Sequence, residues 1–195
     1  MTLFTMANWP LLFVSLAMIV AAVIDGWKLK VPNWLTFPLI ISGCLLGLLH
    51  NFGWLEGTGT GGFGSAFTGT LLGFALLLPV YAIGGMGAGD VKMQMGFGSW
   101  VGAFFGLWTG MEVIFWAFCT AVIIGGILAL AMIVVRGQLS RNVQNTREIV
   151  GDWFTAGLGT VNERAAKRKR RLHLLPYGIP LCLGFVGYLV FLYGL

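Results

Sequence analysis

In a chain of 195 residues, 57% hydrophobic content with only 10% charged residues leaves more apolar surface than one soluble core of this length can hide. An ordinary soluble domain is excluded, and the composition marks an integral membrane protein. The net charge of +5 comes from twelve Lys and Arg against seven Asp and Glu, and it is unevenly distributed.

Uncharged runs at 3–24, 34–49, 63–83, 93–111, 113–135 and 174–195 mostly approach the roughly 20 residues that cross a bilayer. They predict an all-α membrane protein, a bundle of about six transmembrane helices forming a single domain over residues 1–195. The first run has no basic n-region and is followed by lysines, so it reads as a retained helix and not as a cleaved signal peptide. It ends at Asp25. Lys28 and Lys30 follow, and Pro32 then stiffens a short connection in which Asn33 is the expected N-cap of the second helix.

Residues 50–62 are rich in Gly and Thr and read as a flexible outer loop, with His50 a solvated loop histidine. No His, Cys and carboxylate fall at ligand spacing, so neither a metal nor a cofactor is expected. Cys44, Cys119 and Cys182 all lie in apolar segments, where packing is their expected role. Glycine is abundant, and Gly43 with Gly47, Gly69 with Gly73 and Gly98 with Gly102 recur four apart. That spacing suits close helix packing, although membrane helices are enriched in glycine generally.

Between the third and fourth apolar runs stands Gly84-Gly85-Met86-Gly87-Ala88-Gly89-Asp90-Val91-Lys92. Its glycines admit positive φ and close backbone approach, so a helix can start here with Asp90 near its N-terminus. A lone aspartate in such a place is expected to do no more than cap the helix beginning near Lys92. Chemistry needs a second carboxylate, and Asp25 sits comparably at the edge of an apolar run.

Lys and Arg accumulate in cytoplasmic loops. Here Lys28 and Lys30 follow the first helix, Lys92 follows the third, and every other basic residue lies in 136–171, after the fifth. The N-terminus and C-terminus are therefore expected outside, with Asp25 and Asp90 together on the cytoplasmic side. The basic loop 136–173 carries Leu139, Val143, Val150, Phe154 and Leu158 at roughly helical spacing, which predicts an amphipathic surface helix. Its basic run 167–171 is expected to meet anionic lipid headgroups and, lacking interleaved aromatics, no nucleic acid.

Three places together resemble the type IV prepilin peptidases, which belong with the membrane-embedded GxGD aspartyl proteases. They are Asp25 with Val31-Pro32-Asn33-Trp34-Leu35-Thr36, then Gly87-Ala88-Gly89-Asp90-Val91-Lys92, and more weakly Leu175-Pro176-Tyr177-Gly178 at the start of the last helix. The resemblance implies that Asp25 and Asp90 are the catalytic pair, with Pro32, Asn33, Gly87, Gly89 and Lys92 as supporting motif residues. It implies prepilin or pseudopilin substrates, cut on the cytoplasmic side of the inner membrane, typically after Gly, just before a hydrophobic helix. It also implies a multi-pass enzyme with no cofactor. Larger relatives carry paired Cys-x-x-Cys motifs associated with N-methylation; this chain has none, and looks like the short, peptidase-only form that resembles enzymes of tight-adherence (Tad, Flp-type) pilus systems. An ion-coupled transporter and a non-catalytic pilus-assembly scaffold are the alternatives from other classes. A transporter expects its acidic residues deep in the bilayer, whereas a scaffold has no need of both aspartates.

Overall fold

A computed structural model describes residues 8–55, 58–82, 85–136 and 177–193. Six helices account for nearly all of them: α1 (Trp9–Lys28), α2 (Asn33–Asn51), α3 (Phe63–Ala82), α4 (Ala88–Phe105), α5 (Leu107–Arg136) and α6 (Gly178–Tyr193). There is no strand among the described residues. Four helices, α1, α2, α3 and α5, are long and apolar enough to cross a membrane. Their outward faces present Leu16, Ile41, Leu71 and Ile123, as an apolar solvent permits.

The exception in composition is α4, which carries Asp90, Lys92, Gln94 and several glycines. It packs against all five other helices. Val91, Met93, Gln94 and every residue from Gly96 to Phe104 are buried, so protein and not lipid surrounds this helix, and it needs no continuous apolar surface of its own.

Glycines set how closely α4 is approached. Gly98 lies directly on the backbone of Gly69, Gly102 lies on that of Ser65, and a Cβ on Gly73 would come 2.7 Å from the Gln94 carbonyl oxygen. Positions that rise along α4 thus meet positions that fall along α3, and the two helices are antiparallel. Against α2 the register rises on both sides: Leu39 covers Gly96, Gly43 lies on Ser99, and the Trp100 indole N–H donates to the Leu39 carbonyl at 3.0 Å. These two helices run parallel. The glycine pairs four apart are therefore true packing sites. On the remaining side α6 stacks Phe185 on Phe97 at 4.5 Å between ring centroids and brings Gly184 onto Ala121 of α5.

Several helix limits differ from the sequence expectation. Expected to end at Asp25, α1 continues to Lys28 and stops where Leu29 turns left-handed (φ 51), its N–H donating to the Asp25 carbonyl at 2.7 Å. The break between α4 and α5 is at Gly106 (φ 82) and not at Glu112, which sits exposed within α5. Glycine makes that corner because its φ lies where side chains are disfavoured, whereas an exposed Glu near a helix end is tolerated. His50 is not a solvated loop residue. It belongs to the last turn of α2, half-buried, with Nδ1 3.1 Å from the Gly61 carbonyl and 3.0 Å from that of Ala103, and Nε2 3.2 Å from Thr58 Oγ1. Thr60 N–H also donates to the Phe104 carbonyl at 2.9 Å, so the described part of this connection is docked on the end of α4. The amphipathic helix expected in 136–173, and the basic run within it, lie outside the described residues.

Candidate active site

Asp25 stands near the C-terminal end of α1, and Asp90 is the third residue of α4. Parallel packing of α2 on α4, with only Leu29 to Pro32 between α1 and α2, puts these two places at the same end of the bundle. Contact is direct: a Cβ on Gly89 would lie 2.9 Å from the Val31 carbonyl oxygen and 3.0 Å from Val31 Cβ. Gly89 is glycine because the backbone just after Asp25 crosses immediately over it. Both carboxyl groups are buried, with Asp25 3% and Asp90 5% exposed.

The entry to α6 joins them. Gly178 N–H donates to Asp25 Oδ2 at 2.9 Å, and a Cβ on Gly178 would lie 2.9 Å from the same oxygen. The preceding residue, Tyr177, is half-buried. Burial first, and the negative charge of Asp90 second, push its phenol above the usual tyrosine range. The entry to α6 thus meets Asp25 directly through a hydrogen bond, and the charge of Asp90 reaches the phenol of its tyrosine.

Asp90 also caps its own helix. Gly87 N–H donates to Asp90 Oδ2 at 3.1 Å, the half of a capping box that a glycine N-cap allows. Gly87 itself is extended, at φ −82 and ψ 152, so its freedom to reach positive φ is unused here. Capping alone would be served by a solvated carboxylate; burial and the neighbouring tyrosine are additional features.

The supporting residues divide. Pro32 is the N-cap of α2, its carbonyl accepting from Leu35 N at 3.1 Å and Thr36 N at 3.3 Å. Asn33 is therefore inside the helix and not its cap, because the rigid proline φ already sets the entry. Its side chain is used across the bundle: Lys92 Nζ donates to Asn33 Oδ1 at 2.9 Å and lies 4.4 Å from the centre of the Phe37 ring. Lys92, inside α4 and not ahead of it, ties α4 to the start of α2. Lys92→Met should lower thermal stability by about 1 kcal/mol, as expected for one partly exposed charged hydrogen bond and cation–π contact. A thermal melt checks this.

Val31, Tyr177 and Gly178 entered the sequence reading only as carriers of the resemblance, with no site role assigned to them.

The arrangement supplies two buried carboxyl groups at the same end of a helix bundle, each accepting a backbone N–H. Such a pair can accept a proton at one oxygen and deliver one from the other. Neither the curated proteins nor the solved structures provide a match to this chain. The model of the Type IV leader peptidase family matches residues 12–130, more than half of the chain and the whole stretch from α1 through Asp25 and Asp90 into α5. On that match the chain belongs to the Type IV leader peptidase family.

Proposed function

We propose that this peptidase is a membrane-embedded aspartyl endopeptidase that removes the short basic leader from prepilin-like or pseudopilin-like proteins at the cytoplasmic face of the inner membrane. The observation that carries this reading is the burial of both Asp25 and Asp90 at the same end of the bundle, where Gly89 lies on Val31 and Gly178 bonds Asp25. In this reading the two carboxyl groups act as a pair, and a pair buried together does not ionise at both members readily, so it holds one proton. The ionised member takes a proton from water, and the water oxygen attacks the scissile carbonyl carbon. The protonated member gives its proton to the carbonyl oxygen. As the tetrahedral diol collapses, the C–N bond breaks, the leaving nitrogen takes a proton from the pair, and one diol hydroxyl gives its proton back to the pair as the new carboxyl group forms. No covalent enzyme intermediate forms.

Co-expression with a candidate prepilin tests the class. A leader-sized mobility shift is expected, and its absence with the folded protein present speaks for a scaffold.

Topology is part of the same proposal, since both termini outside would put Asp25, Asp90 and 136–173 in the cytoplasm. A cysteine replacing Arg141 should resist an impermeant thiol reagent in intact cells and react in inverted vesicles. Labelling in intact cells overturns the orientation.

A further inference from the structure

Gln94 lies one helical turn further into the bundle than Asp90, at the i+4 position that shares its face of α4. It is completely buried, at 0% exposure. Neither of its amide atoms, Nε2 and Oε1, has a hydrogen-bond partner among the described residues. Across from it, the place a Cβ on Gly73 would take is 3.2 Å from Gln94 Cγ. The rest of its turn is apolar, with Met93 and Phe97 also at 0% exposure. An unpaired amide is the worse structural choice here. Leaving such a group unsatisfied is destabilising, and an unbranched methionine would occupy the same space without that cost.

The cost is offset by an occupant that both donates and accepts hydrogen bonds. A peptide main chain does so, but it reaches a residue of 0% exposure only if the helices part. A single water needs only about 15 Å³ of accessible volume and a few polar partners, and the amide offers two donors and two acceptor lone pairs. Side chains at i and i+4 start roughly 5–6 Å apart, a span one water bridges. We propose that Gln94 holds an internal water one turn inward from Asp90 and positions it for the aspartate pair. Gln94 is thus a positioning residue for the hydrolytic water. The inference rests on the peptidase reading above.

The test compares the parent with Gln94→Met and Gln94→Asn, purified and cleaving a prepilin-like peptide. Gln94→Met should lower kcat about 10-fold or more at unchanged KM, while its unfolding temperature stays level or rises. Gln94→Asn, which keeps the amide, should retain most of the activity. In protein labelled with 15N-glutamine, the side-chain amide signal missing from Gln94→Met should show a cross-peak to water. Parental kcat in Gln94→Met overturns the inference, as does a rise confined to KM, which would assign the amide to substrate. A fall in unfolding temperature assigns Gln94 to structure alone, and an amide without a water cross-peak removes the site. If the parent itself fails to cleave, the peptidase reading fails instead, and the water cross-peak still reports on Gln94.

Discussion

Asp25→Asn and Asp90→Asn should each abolish leader cleavage, by about 10⁴-fold or more, while the protein stays folded and inserted. Asparagine keeps the shape and the hydrogen bond from Gly178 or Gly87, but it neither takes a proton from water nor returns one. The double variant should be scarcely worse than either single one, because members of one catalytic unit lose nearly everything at the first deletion. Glu112, exposed within α5, is the control whose amide should cleave normally. Single-turnover rates on the purified variants check all four. Multiplicative losses from the two aspartates would mean that they act separately.

Gly178→Ala should cost about 100-fold in kcat, although no ionisable group is replaced. Its new Cβ would stand 2.9 Å from both Cβ and Oδ2 of Asp25 and 3.1 Å from Cγ. Real Cβ atoms do not approach so closely, so either the carboxyl group turns away or α6 withdraws and takes its N–H with it. A displacement of about 1 Å at a reacting group is enough for a loss of that size. Gly89→Ala should act similarly, because the Val31 backbone 2.9 Å from the new methyl cannot swing aside as a side chain would. Gly64→Ala and Gly187→Ala are the matched controls: a Cβ at either meets nothing within 4 Å, so alanine should be neutral or slightly stabilising in the helix. Rates together with melts separate the two groups, and a parental rate in Gly178→Ala would detach α6 from the site.

Local information carried much of this fold. Apolar runs placed six helices and gave the start of α3 at Phe63 correctly, because bilayer length and composition are read over one continuous stretch. Asp25 and Asp90 were found as the acidic residues at the edges of such runs, and the structure buries both at the same end of the bundle. What escaped was tertiary. Asn33 is an ordinary capping residue by type, and nothing beside it in sequence announces that Lys92 will claim its side chain. His50 looked solvated because its acceptor at Ala103 is contributed by another helix. Glu112 was read as a boundary on charge, when the positive φ of Gly106 makes the corner. The apolar run at 93–111 starts after Asp90 and Lys92, and the packing of five helices around α4 explains why the helix itself includes Asp90 and Gln94.

The central claim is hydrolysis by Asp25 and Asp90 together, and cleavage of a purified prepilin-like substrate in 18O-labelled water tests it most directly. The parent protein should release the leader as a single species carrying one 18O atom in its new C-terminal carboxylate, and the Asp25→Asn/Asp90→Asn double variant should release none. Equal release by the double variant would contradict the account.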